Sequence, residues 1–300
     1  MVYEFIAVRE DDGLRLDVFL TEKIDGVTRS YIKTLVDGGK ITVNGAAKKA
    51  GYALKEGDTV EARTESREIS AVPQEIPIEI VFQDDYFAVI NKPQGMVVHP
   101  ARGAPSGTLV NALLFQLRNL SDLNGEIRPG IVHRLDKDTS GLILAAKNNF
   151  AHSSLSKQIA DKSARRYYTA LLDGNIKDDG GVIETFIGRN PKDRLKMAVT
   201  KDGKKAVTLY RVVERFKDFC LVEFELKTGR THQIRVHAKH IGHPVTGDRT
   251  YGNGAKFKTD GQLLHAHKLT VAHPKSGEIM EFHAELPVYF REILEKLRKG

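Results

Sequence analysis

Tryptophan is absent from this 300-residue chain, and cysteine occurs once, at Cys220. A single cysteine excludes an internal disulfide and any multi-cysteine zinc site. No run approaches the roughly 18 apolar residues of a membrane-crossing helix, so none is expected. The opening Met1-Val2-Tyr3-Glu4-Phe5 lacks the basic-then-apolar form of a secretory signal, and cytoplasmic residence is the expectation. There is no P-loop, no dinucleotide-type glycine fingerprint after a strand and no zinc spacing. No cofactor and no metal are therefore expected.

What is present is enough to build a core: 41% of the residues are hydrophobic. The length fits one large domain or two smaller ones. The formal charge is +7, unevenly spread. Residues 1–68 hold eleven Lys/Arg and thirteen Asp/Glu, a balance of −2, which leaves +9 on residues 69–300. A basic C-terminal portion suggests a polyanion partner, although charge alone is equally consistent with an ordinary basic protein.

Residues 13–68 read as a small α/β module. Leu14, Leu16, Val18, Phe19 and Leu20 suit one helix. Thr28 is placed to cap a second, with Tyr31, Ile32, Leu35 and Val36 as its apolar face. Gly38-Gly39 ends it, Lys40 to Val43 forms a strand, and Asn44-Gly45 is a hairpin turn signal. Gly57-Asp58 precedes a last strand, Thr59 to Ala62. Between Lys23 and Lys55 stand seven basic residues and two acidic ones. Residues 64–77, polar and holding Pro73 and Pro77, read as a linker. The expected domains are 1–70 and 71–300.

The densest chemistry lies in Ile131-Val132-His133-Arg134-Leu135-Asp136-Lys137-Asp138-Thr139-Ser140-Gly141-Leu142-Ile143-Leu144. Ile131 and Val132 read as a strand end, and Leu142 to Leu144 as the start of a buried strand. The charged turn between them is a reactive loop or a plain surface turn capped by Asp138, Thr139 and Ser140. Upstream, strands over 78–82 and 86–90 flank Asp84-Asp85, and Thr108 caps a helix bearing Leu109, Leu113 and Leu117. Downstream, Asn149 is the expected cap of a helix carrying Ala151, Leu155 and Ile159. Arg165 to Leu172 reads as a strand, in which Tyr168 alone would be an ordinary packed aromatic. Residues 189–205 hold seven Lys/Arg against Asp193 and Asp202, a basic hairpin able to grip phosphates. Cys220 lies mid-strand and reads as a core thiol. In Thr228-Gly229-Arg230-Thr231-His232-Gln233-Ile234-Arg235, Thr231 is the expected helix cap, and Gly242 the stop. A basic helix start is also a generic phosphate site, which makes Arg230 a backbone-binding candidate.

Together these segments resemble the RluA/RluD-type RNA pseudouridine synthases. The carriers are His133-Arg134-Leu135-Asp136 with Lys137 to Gly141, Lys92-Pro93-Gln94-Gly95, Arg166-Tyr167-Tyr168-Thr169-Ala170, and Thr228 to Arg235. Gly242 to Asp248 and the segment Leu263 to Leu269 continue the match. Leu14-Arg15-Leu16-Asp17, Thr28-Arg29-Ser30 and Gly39 to Gly45 are similar to the αL RNA-binding motif. The resemblance implies an α+β fold, with a mainly antiparallel mixed-sheet catalytic domain behind a small N-terminal α/β module. It implies Asp136 as nucleophile, Arg235 as its active-site arginine and Tyr168 as the aromatic stacked on the target base. Arg134 would fill the space left by an extruded uridine, with His133 beside it, and Leu269 is the candidate wall of the base pocket. Arg29, Lys33 and Lys48 would contact RNA phosphates. The implied partner is RNA, large-subunit ribosomal RNA first and transfer RNA second, with the protein a monomer.

The reaction sets a physical requirement. A carboxylate must stay ionised in a dry pocket, and an adjacent guanidinium supplies that charge and geometry. Hence an Asp136–Arg235 pair is expected from motifs about a hundred residues apart. Two rivals differ in kind: a non-catalytic RNA-binding protein, and a metal-dependent hydrolase built on His133, Asp136 and Asp138, for which no standard ligand spacing exists.

Overall fold

In a computed structural model the chain divides into two units, Met1–Glu68 and Ile69–Gly300. The structure describes all residues except 1, 25–28, 64–70, 102, 118, 124–127, 194, 195, 253–255 and 300. The expected cap at Thr28 and the first half of the linker, 64–70, lie outside the described residues.

The first unit comprises β1 (Val2–Ile6), α1 (Leu16–Lys23), α2 (Arg29–Asp37), β2 (Ile41–Val43), β3 (Ala46–Ala47) and β4 (Thr59–Arg63). Its sheet runs β1-β4-β2-β3, all antiparallel. The helical spacing of Leu16, Phe19 and Leu20 puts them on one face, where they meet Ile32, Leu35 and Val36 from the second helix and Val43 and Val60 from the sheet. Asn44 and Gly45 both take positive φ, 51° and 72°. Such a two-residue turn matches the twist of the strands it joins.

The second unit holds β5 (Glu79–Gln83), β6 (Phe87–Lys92), α3 (Leu109–Gln116), β7 (Ser140–Ala146), α4 (Asn149–Asp161), β8 (Arg165–Asp173), β9 (Gly180–Arg189), β10 (Met197–Val199), β11 (Lys204–Arg215), β12 (Phe219–Leu226), α5 (Gln233–His240), β13 (Leu264–Ala272), β14 (Ile279–His283) and α6 (Val288–Lys299). Nine strands run in the order β10-β9-β11-β12-β8-β13-β7-β6-β5, and β14 pairs with β13 beside them. Only β7 with β13 is parallel among the described pairings. The sheet is thus mixed and mainly antiparallel, as the resemblance implied.

Period-two alternation sorts the two faces. Ile143 and Ala145 of β7 join a core with α3 and α5, while Leu142 and Leu144 join one with α4. All seven residues of β7 are buried, which is why the stretch reads as a continuous apolar run rather than an alternating one. Gly141 sits at φ 109°, and a Cβ there would lie 2.3 Å from the Ala266 carbonyl oxygen. Only glycine lets β7 and β13 approach so closely. The last helix packs Phe290, Ile293 and Leu294 onto Leu171, Phe219 and Leu263.

Three local expectations are corrected. Asn148, not Asn149, caps α4: its side chain accepts the Ala151 N–H at 2.9 Å, while Asn149 bonds Ser121 and Asp122. Ile131 makes an isolated bridge to Ala145 and no strand, because the chain must leave the sheet to carry the motif. Thr231 does not cap α5; His232 occupies that position in a left-handed conformation, φ 56°.

Candidate active site

The loop between Ile131 and Thr139 is tied down from several directions. His133 Nε2 accepts the Leu144 N–H at 3.0 Å. The fully buried Lys92 donates from Nζ to the carbonyls of Pro93, Met96 and Lys137 at 2.8, 2.8 and 3.0 Å. Burial pulls the Lys92 pKa down to about 7, against the charges of Asp138 and Asp136. Gln94 donates to the carbonyls of Asp138 and Gln262, and Gln262 donates to Thr139 Oγ1. A backbone with its carbonyls so engaged holds the side chain at its centre, Asp136, in one place.

Asp136 faces Arg235, whose Nη1 donates to Oδ2 at 2.9 Å. The expected pair is present, and it has a third member. Asp248, wholly buried at its side chain, receives Nε and Nη2 of the same guanidinium at 2.6 and 2.9 Å. Its Oδ1 also accepts the N–H groups of Thr250 and Tyr251. Arg235 is thus gripped side-on by one carboxylate and presents its free end to another. Burial opposes the charge on Arg235, but hydrogen bonds and charge from Asp248, then Asp136, outweigh it and raise its pKa. The Tyr251 ring centre lies 5.0 Å from the guanidinium carbon. The Tyr251 hydroxyl accepts the Met197 N–H at 2.9 Å and lies 2.8 Å from His232 Nδ1. That contact leaves His232 Nε2 on the side of Asp136, 3.9 Å from Oδ1. Burial lowers the His232 pKa.

These groups open on a cavity of about 270 Å³. Tyr168, Leu226, Leu264 and Ile234 form apolar wall, and among the described residues Asp136 is the sole acidic one lining it, against Arg134, Lys162, Arg166, Arg230 and Arg235. Tyr168 is buried, and burial raises its hydroxyl pKa, so it is neutral. Arg134 and Arg230 line the cavity as exposed side chains. His133 lines it too, but its Nε2 lone pair is already used on Leu144. Burial, helped by Arg166, lowers its pKa to about 3, leaving it neutral. Among the described residues no group of three or more His, Cys, Asp or Glu could hold a metal ion.

Leu269 does not line the cavity. It packs with Phe87, Leu142, Leu155 and Phe282 beneath α4. Leu264, five residues earlier, belongs to the opposite face and supplies the wall instead. In the first unit, Arg29 pairs with Asp17 at 2.9 Å, Lys33 is exposed, and Lys48 Nζ lies 5.2 Å from the Tyr52 ring centre. Sequence reasoning gave no role to Lys92, Arg166, Asp248 or Tyr251. The first three stand inside quoted motif segments, and that was the available signal.

Residues 86–240 match the RNA pseudouridylate synthase family, and residues 14–60 match the S4 domain. The chain belongs to the RNA pseudouridine synthase family and is an isomerase acting on uridine in RNA. A Bacillus subtilis protein described as an uncharacterized RNA pseudouridine synthase is 47% identical, covering 99% of this chain and 98% of its own length. Proteins named ribosomal large subunit pseudouridine synthase D from Xanthomonas campestris and Zymomonas mobilis are 40% and 43% identical. They cover 96% and 92% of this chain and 90% and 91% of their own lengths. The human RNA pseudouridylate synthase domain containing 1 has a similar structure, with TM-score 0.58 and 25% identity over 79% of this chain and 98% of that one. No described helix is long and apolar enough to cross a membrane.

Proposed function

We propose that the protein converts uridines of large-subunit ribosomal RNA to pseudouridine, acting as a cytoplasmic monomer with Asp136 as nucleophile. The observation that carries this reading is Asp136 as the lone acid, among the described residues, of a basic cavity, with Arg235 at 2.9 Å from its carboxylate. The names of the ribosomal relatives support the substrate. The bond between uracil N1 and ribose C1′ breaks, the ring turns, and C5 joins C1′. The C5 proton goes to solvent and N1 gains one, so atoms balance without redox chemistry. Attack on the ribose, attack on the ring and elimination to a glycal each begin from the Asp136 carboxylate that Arg235 holds at 2.9 Å. Tyr168 offers its face to the base, and Arg134 occupies the gap left by extrusion, which costs roughly a few kcal/mol. Residues 71–300 carry this chemistry. Residues 1–70 add RNA affinity through Arg29, Lys33 and Lys48; Arg29 and Lys33 are exposed and Lys48 is half-buried, and Arg29 would exchange its Asp17 partner for a phosphate.

The test is release of tritium from uracil C5 in an unmodified large-subunit transcript, beside a transfer RNA transcript. Wild type should release it from the former, and Asp136→Asn should release none while still binding. Release by Asp136→Asn would remove the nucleophile assignment, and release from transfer RNA alone would move the substrate.

A further inference from the structure

The cavity contains a cation that the chemistry above leaves unused. Arg166, on β8, is 6% exposed, and its Nε and Nη2 are buried with no hydrogen-bond partner. A buried guanidinium without an acceptor is costly unless something arrives to accept from it. The unpartnered edge is the one that binds two oxygens at once, the same edge by which Arg235 holds Asp248. Gly229 lies against this guanidinium, where a Cβ would press to 3.3 Å from Nη1 and 3.4 Å from Nη2. Two further cations line the same cavity. Lys162 follows the C-terminus of α4 and uses one donor on the Ile159 carbonyl, and Arg230 uses only Nε, on the Lys205 carbonyl. Among the described residues none of these three cations forms an ion pair with a carboxylate, and only Asp161, beside Lys162, offers it an opposing charge. Their mutual repulsion contributes, after burial, to the lowered Lys162 pKa.

We infer that Arg166, flanked by Lys162 and Arg230, is an anion subsite for an RNA phosphodiester immediately adjoining the target uridine. The inference rests on the reading of the cavity as the uridine site. RNA offers no anion but its phosphates. Uracil carbonyls are neutral, and would leave three converging cations uncompensated. Because the cations share one cavity with Tyr168 and Asp136, the phosphate they take belongs to the extruded nucleotide or its neighbour. Arg166 would therefore register the ribose against the carboxylate as well as add affinity.

The experiment is filter binding of the full chain to an unmodified large-subunit ribosomal transcript across a potassium chloride series. Wild type, Arg166→Gln and Arg166→Lys are compared, each with its thermal midpoint. Loss of one phosphate contact should make the slope of log K against log salt shallower by about 0.7 and weaken binding by about tenfold. Arg166→Lys should keep the wild-type slope. The thermal midpoint of Arg166→Gln should equal or exceed that of wild type, because an uncompensated buried charge is removed. Weakened binding at an unchanged slope would mean a neutral contact and overturn the inference. A lowered midpoint with an unchanged slope would mean a structural arginine and overturn it too. Tritium release from the same transcript reports separately on the reaction. A wild type that binds with the expected slope difference yet releases nothing would sustain the phosphate site and retire the proposed substrate.

Discussion

Asp248→Asn is the substitution that separates holding the active-site arginine from doing chemistry. Asn keeps the shape, so no cavity forms. It keeps an oxygen able to accept from Thr250 and Tyr251. What it loses is the charge and one of the two acceptors facing Nε and Nη2 of Arg235. With the Asp248 side chain wholly buried, removing one partner of such a pair costs about 3 kcal/mol or more. In a unit of this size that is roughly 6–12 °C in thermal midpoint. Asp136→Asn should cost less, because Asp136 is partly exposed and Arg235 keeps its side-on partner. Activity should invert the order. Asp136→Asn should end the reaction, whereas Asp248→Asn should leave the proposed nucleophile facing a poorly oriented guanidinium. A misplacement of about 1 Å costs on the order of a hundredfold. The assays are thermal unfolding followed by circular dichroism, and single-turnover tritium release. Equal destabilisation by the two variants, or full turnover by Asp248→Asn, would refute the view that Asp248 is the anchor.

Two further outcomes follow from positions outside this pair. Gly141→Ala should abolish soluble folded protein or lower the midpoint by well over 10 °C, since the strained φ and the contact with Ala266 together cost several kcal/mol; an unchanged midpoint would show that β7 and β13 can part. In the first unit, the hydrogen bond from Arg15, joined by Arg29 and opposed by burial, holds the Asp17 carboxyl near 2. A carboxyl depressed in the folded state contributes stability that is full above pH 4 and lost as pH falls through 2. Both arginines are half exposed, so the contribution is about 1 kcal/mol. Amide protection of β2 and β4 in the full chain should differ between wild type and Asp17→Asn at pH 5 and converge near pH 2.

The elements most legible in the sequence are those whose local chemistry admits one solution. Asn44-Gly45 could only turn, and the run Gly141 to Ala146 could only be buried on both faces. The Asp136–Arg235 pair was legible because a buried carboxylate needs a cation and the resemblance named one. Asp248 was not, although it stands thirteen residues from Arg235, because its role exists only once the loop after α5 folds back onto the helix. Leu264 was passed over for Leu269 because both are strand leucines in one matching segment. Only the assembled sheet distinguishes the face beside Tyr168 from the face beneath α4. Asn148 and Asn149 are chemically identical caps, and the extended backbone at Asn148 decides between them.

The pairing of β13 with β7 is short: His265 with Ser140, and Ala266 with Gly141. The sheet is therefore two leaves stitched along a narrow seam, with side-chain packing completing the join. One leaf, β5 to β7, suspends the loop of Asp136. The other carries α5, which packs against β9, β10 and β11, and so carries Arg235. The ion pair between them crosses the seam like a latch, with Gln94 as a second fastening. Separation of the leaves along that seam would part Asp136 from Arg235.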